Sequence, residues 1–294
     1  EKEPDKAPEI IKEFETFTDN TTNKVDKALL YSMLAEMYTQ YYQSNQWTIN
    51  NRTEVEGTVP DDIKEWTKNI FYRKISKLLL LSTNSCPYDL IEANPVKYKL
   101  LIDLQKDSRL YKPTLYDFLA YRKIDILSSL KMSDSNSDEM DVAGLMNDAK
   151  EFMKLNFYND SVEQDINKQI LVTYQELLSL HAKKSGAAFF FADLQRLQYV
   201  HQSAYAEPSD SLYLVALNRL EQECNNADIA VEILAEKASF YLTNDDGENH
   251  FKKMAYDICQ AGIAKYPKIA ATAKLKNFIS TILQKQVNIN HDNL

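Results

Sequence analysis

Glycine is the scarcest informative residue in this chain: 5 in 294 residues, about 1.7% where roughly 7% is usual. Sandwiches, barrels and nucleotide-binding α/β folds need glycine wherever the backbone turns with positive φ or closely approaches a phosphate. Five cannot furnish many such places, which leaves long helices joined by short polar turns. Long apolar runs are missing too. The longest, Ala187 to Ala192 and Leu212 to Leu217, span six residues each, far below the roughly 20 that cross a bilayer. Positive charge is also short, with 34 Lys plus Arg against 43 Asp plus Glu and a net charge of −9. That balance argues against a nucleic-acid backbone or an anionic membrane surface as partner. The three cysteines, Cys86, Cys224 and Cys259, are odd in number and lack C-x-x-C spacing. Neither a disulfide framework nor a zinc site is indicated, and buried free thiols are the simpler reading.

What is present is a large apolar supply. Hydrophobic residues make up 44%, including 18 Tyr and 12 Phe, enough to build the core of one or two ordinary domains. A start at Glu1 without Met or a leader-like apolar stretch reads as a processed or trimmed chain whose targeting address has been removed. Residues 1–24 read as a flexible spacer, opening on the charged, Pro-containing run Glu1 to Pro8. Residues 25–132 read as an N-terminal helical lobe. In it Leu30, Leu34, Met37 and Tyr41 recur at intervals of four, three and four, the spacing of one helical stripe.

Within that lobe, residues 47–59 look like an extended connector, with β-branched residues and Gly57 near the end. Asp62 and Glu65 have capping-box spacing, which restarts a helix that would include Trp66, Ile70 and Leu81. Pro113 suits the first position of a helix running to Leu130 that is apolar nearly all round, hence central. The polar run Ser133 to Glu139 is the candidate boundary. Residues 140–294 then read as close-packed helices near 140–156, 162–184, 187–205, 210–225, 227–243, 249–265 and 268–286, with Ser161 and Gln164 as another capping box. Ala238, Tyr241, Ala255, Cys259, Gly262 and Pro267 match offsets of a tetratricopeptide repeat, although the loop Thr243 to Asn249 is too long. The expected fold is therefore all-α: about ten helices in stacked antiparallel hairpins with a tetratricopeptide-like, right-handed superhelical curvature.

Motif chemistry is sparse. No glycine pattern of a nucleophile elbow, Walker loop or dinucleotide fingerprint occurs. His181, His201, His250 and His291 are too scattered for a metalloprotease site. In the loop Asn244 to Glu248, aligning Gly247 with the invariant glycine of a calcium loop puts Leu242 and Lys253 at ligand positions, which defeats coordination. Adjacent Asp61 and Asp62 are better read as helix caps than as an acid–base pair. Tyr38, Tyr41, Tyr42 and Trp47 form either a ligand platform or core, and helical spacing favours core. No catalytic residue, cofactor or metal site is assigned.

Two stretches carry a resemblance. LAEMYTQYYQSNQWTINNRT from Leu34 to Thr53, followed by DDIKEW from Asp61 to Trp66, resembles the N-terminal region of the large alpha-2-macroglobulin-like proteins of Bacteroidetes. SRLYKPTLYDFLAYRKID from Ser108 to Asp125 is similar to a second block of that region. The resemblance implies a non-enzymatic helical module at the N-terminus of an envelope protein that traps or inhibits proteases. Such a protein is exported and held in the periplasm or at the outer membrane by a lipidated N-terminus. The partners implied are macroglobulin domains of the same longer chain, and target proteases or envelope proteins. Thioester chemistry is not implied here, because no Cys-x-Glu-Gln sequence occurs. Trp47, Arg52, Trp66 and Tyr111 are the interaction candidates, chosen because they flank the connector and the turn before Pro113. The alternative is a surface protein resembling the SusD-like receptors, binding a glycan or peptide.

Overall fold

The computed structural model describes residues 6–53, 58–102, 108–132, 142–157, 165–203, 209–245, 247 and 250–284. All regular structure among these residues is helical. In chain order the helices are α1 (Ala7–Asn20), α2 (Lys24–Ser44), α3 (Gln46–Asn50), α4 (Lys68–Asn84), α5 (Pro87–Glu92), α6 (Ser108–Tyr111), α7 (Leu115–Met132), α8 (Val142–Leu145) and α9 (Ala149–Phe152). They continue as α10 (Ile166–His181), α11 (Ala187–Gln202), α12 (Ser209–Glu223), α13 (Ala227–Thr243), α14 (Phe251–Lys265) and α15 (Thr272–Leu283), with tight 3-10 turns at Ile63–Glu65 and Pro95–Tyr98. The chain divides into two compact units, residues 1–138 with 155–180 and residues 139–154 with 181–294.

The first unit is built around α2, α4, α7 and α10. Tyr42 meets Tyr72 at 5.4 Å while the Cys86 thiol reaches the Lys24 carbonyl, so α2 and the α4 segment run antiparallel. The α7 helix runs parallel to α2: the Arg122 guanidinium donates to the Ser32 hydroxyl at 2.9 Å and pairs with Glu36, while Gln43 reaches Ser129. Tyr116 donates to Glu176 at 3.0 Å and Gln169 to Ser76 at 3.2 Å, fixing α10 on α7 and α4. Thus α10 belongs with the N-terminal helices, although it follows the polar run in sequence. The all-round apolar character of α7 has its expected outcome, with Leu115, Leu119, Ile124, Leu127 and Leu130 all buried.

In the second unit, α13, α14 and α15 pack as successive neighbours. Tyr241 meets Phe251 at 5.5 Å, and a Cβ on Gly262 would lie 3.0 Å from Leu234, so α13 and α14 cross antiparallel with a small residue at the crossing. Ala238, Ala255, Cys259 and Leu275 fill the space between them. The repeat-like spacing of Ala255, Cys259 and Gly262 therefore corresponds to a real helical hairpin. Burial pushes the Cys259 thiol up to about 11, and all three cysteines are free.

Several local expectations change. Residues 7–20, read as spacer, form helix α1: Pro8 occupies its first turn, and Ile11 and Thr18, two turns apart on one face, are buried. The connector is helical over α3, because Ile49 is buried and Tyr42 donates to Asn50 at 2.9 Å, which together outweigh the β-branched preference for an extended path. Trp66 lies outside α4, at the end of the Ile63–Glu65 turn. There the Asp62 carboxylate accepts from the Lys64 amide at 2.9 Å, two residues on rather than three. Pro113 precedes α7, and Thr114 with Asp117 forms the reciprocal cap: the Asp117 amide donates to the Thr114 hydroxyl, and the Thr114 amide to the Asp117 carboxylate. Ser133–Glu139, Ser161 and Gln164 lie outside the described residues. Asp165 accepts from Lys168 at the start of α10.

The single helix expected near 140–156 is interrupted between α8 and α9. Asp148 caps α9 through the Lys150 and Glu151 amides. The carbonyls freed at the interruption are taken by arginines: Arg196 donates to Leu145 and Asn147, and Arg219 to Met146. Arg196 is fully buried, pairs with Asp193 at 2.6 Å and lies 4.4 Å from the Phe152 ring centre. We expect Arg196→Ala to cost about 3–5 kcal/mol, because it strands the Asp193 charge in the interior. The double variant Arg196→Met/Asp193→Asn should cost less. Urea denaturation followed by far-ultraviolet circular dichroism measures both, and hydrogen exchange over residues 142–152 should accelerate in the single variant.

Two glycines predict opposite signs. Gly144 has open space around it, so Gly144→Ala should raise stability by about 0.5–1 kcal/mol. A Cβ at Gly262 would meet Leu275 at 2.7 Å, so Gly262→Val should lower it by about 1–3 kcal/mol. Melting temperatures of the two variants decide the matter.

Candidate functional site

The site grows from the entry to α4. Trp66 cannot join the helix because its side chain is committed elsewhere: the indole Nε1 donates to the Pro60 carbonyl at 2.7 Å, folding residues 60–66 back on themselves. Arg52, arriving from the end of α3, donates its guanidinium to the Trp66 carbonyl. The indole then stacks on Tyr38 of α2, ring centres 5.4 Å apart and 9° from parallel, with Phe71 meeting it edge-on at 5.3 Å. Such pairs contribute about 0.5–1.5 kcal/mol beyond the area they bury.

Helix α1 supplies the facing wall. Its Glu15 accepts from the Tyr38 hydroxyl at 3.3 Å and pairs with Lys74 of α4. The Lys74 ammonium also lies over the Tyr38 ring, 5.6 Å from its centre. Between α1 and residues 59–66 runs a cleft of about 790 Å³, inside the roughly 300–1,000 Å³ range of ligand clefts. Pro8, Glu9, Ile11, Lys12 and Glu15 form one side; Val59, Pro60, Asp61, Asp62 and Ile63 form the other; Tyr38 and Trp66 close the floor. Burial, with the neighbouring Glu15 and Asp19 carboxylates, holds the Tyr38 phenol well above its ordinary pKa, so it stays a neutral donor.

Of the four sequence candidates, the fold brings together Arg52 and Trp66. Trp47 is 82% exposed on α3 and Tyr111 is half-buried on α6; neither lines the cleft. The aromatic run divides in the same way, Tyr38, Tyr41 and Tyr42 being core while Trp47 faces solvent. Asp62 acts as a cap, and both it and Asp61 also stand on the cleft rim. Sequence reasoning missed Glu9, Glu15 and the α1 wall, although Ile10, Phe14 and Phe17 do carry helical spacing.

A second polar cluster ties α11, α12 and α13 together. His201 contacts Asp210 at 2.7 Å and stacks on Tyr213 at 4.1 Å. Tyr213 in turn donates to Glu236 at 2.7 Å, and Gln198 donates to the other oxygen of that carboxylate. Asp245 is paired with Lys252 at 2.8 Å, which draws its carboxyl below the usual range. Among the described residues no group of three or more His, Cys, Asp or Glu is placed to hold a metal ion, and no helix is long and apolar enough to cross a membrane.

No family model matches the chain, and neither a curated protein nor a solved structure matches it.

The Tyr38 geometry sets a pH dependence. A phenol kept protonated in the folded state releases its proton only on unfolding once the pH passes about 10. The unfolded state then binds fewer protons, so stability falls as pH rises through that range. Urea denaturation from about pH 9 to about pH 11, read by tryptophan emission, should show a shallower decline for Tyr38→Phe than for the natural chain.

Proposed function

We propose that this chain is a non-enzymatic interaction module of an alpha-2-macroglobulin-like envelope protein, exported and tethered by a lipidated N-terminus, that serves protease trapping by docking an extended polypeptide in the α1 cleft. The observation that carries the reading is the cleft itself, whose walls are fixed by buried side chains. The segments of the resemblance support it as well. Leu34 to Thr53 and Asp61 to Trp66 provide Tyr38, Arg52 and Trp66, and Ser108 to Asp125 provides Arg122, which grips α2. A right-handed, tetratricopeptide-like stacking of the hairpins belongs to the same reading.

A polypeptide fits this floor better than a sugar does. Pyranose stacking needs an open aromatic face, whereas Trp66 is only 8% exposed and has Tyr38 against one face. Trp47 offers an open ring but lies outside the cleft.

Two measurements test the proposal in the envelope of intact cells. An antibody to this chain should detect a polypeptide far larger than 294 residues; a product of this length alone overturns the macroglobulin assignment. A photo-crosslinking residue replacing Val59, exposed on the cleft wall, should capture polypeptide. Failure to capture any overturns the docking role.

A further inference from the structure

The cleft rim has a consistent chemistry. Glu9 and Glu15 on one side and Asp61 and Asp62 on the other face a single lining cation, Lys12. Glu15 is already matched by Lys74, and Asp62 has its own backbone donor in the Lys64 amide. Glu9 and Asp61 are exposed, one on each wall.

Part of the backbone on the 59–66 wall is engaged inside the chain. Trp66 occupies the Pro60 carbonyl, Arg52 occupies that of Trp66, and Pro60 has no N–H to offer. The side chains that the cleft offers a ligand are the carboxylates and the aliphatic surface of Val59 and Pro60. Long cationic side chains meet both demands at once, laying an apolar stem on the wall and presenting a charged head to the rim.

An independent contact shows the same pairing inside the protein. Tyr38 of the floor and Glu15 of the α1 wall hold the Lys74 ammonium between a ring face and a carboxylate.

We infer that the cleft selects an extended polypeptide segment bearing at least two lysine or arginine side chains, with stems on Val59 and Pro60 and heads at Glu9 and Asp61. This inference rests on the docking role proposed above and names the chemistry of what docks.

The test uses Trp66 as a local reporter. With Trp47→Phe, at an exposed position, Trp66 is the remaining tryptophan of the two. This chain is titrated with a capped heptapeptide of alternating alanine and lysine, and with its counterpart carrying glutamate for lysine. The lysine peptide should change Trp66 emission saturably, and the glutamate peptide should not. Adding Glu9→Gln and Asp61→Asn should weaken binding about five- to tenfold, consistent with two exposed charge pairs. Neutralising Glu223 and Asp257, exposed in the second unit, should leave it unchanged.

Equal weakening by the two pairs of substitutions would reduce the effect to attraction by the −9 net charge and overturn the inference. So would binding without a Trp66 response, or no binding at all. If the Val59 crosslinker still captures polypeptide lacking lysine and arginine, the basic selectivity alone falls. If it captures none, the docking role falls with it.

Discussion

The stack of Trp66 on Tyr38 is the contact on which the first unit's architecture and its cleft both depend. Tyr38 lies in the C-terminal half of α2 and Trp66 just before α4, so one aromatic pair fixes where α4 begins relative to α2. The same indole ties down Pro60, which turns residues 59–66 into a wall rather than a loose connector. Helix α1 rests on the other side of Tyr38 through Glu15. Core and rim are thus one construction, and its rigidity comes from ring packing backed by a few directed hydrogen bonds.

The second unit solves a different problem with charge. A helix interrupted between α8 and α9 leaves carbonyls that cannot be buried without donors. Arg196 and Arg219 supply them, and Asp193 makes the interior guanidinium tolerable. The desolvation cost of such a pair makes it a poor source of net stability. Its consequence is positional: the fork of Arg196 ties the carbonyls of Leu145 and Asn147 to α11. The stacked His201 and the Tyr213–Glu236 bond tie α11, α12 and α13 together.

Much of the helical content was legible from local pattern. Glycine scarcity and periods near 3.6 identify the class, and the bounds of α13 coincide with those read from sequence. The misreadings share a cause. In α1, charge and proline at the start outweighed the spacing of Ile10, Phe14 and Phe17. In α3, β-branched Thr48 and Ile49 suggested an extended path. At Trp66, helix continuation was inferred from a capping pattern without the indole's distant acceptor. Each case turned on a contact made outside the local window, such as Ile49 entering the core or Trp66 bonding to Pro60.

The sequence by itself determined an all-helical protein with a negative charge excess, because helix propensity, periodicity and composition act over a few residues or over the whole chain. The tertiary structure alone decided that Arg52 meets Trp66 while Trp47 faces solvent and Tyr111 is outside the cleft lining. It likewise set Glu9 and Asp61 on facing walls and drew α10 back onto α4 and α7. The physical reason is that side-chain meetings across long separations depend on which apolar faces bury one another, and no local pattern encodes that choice.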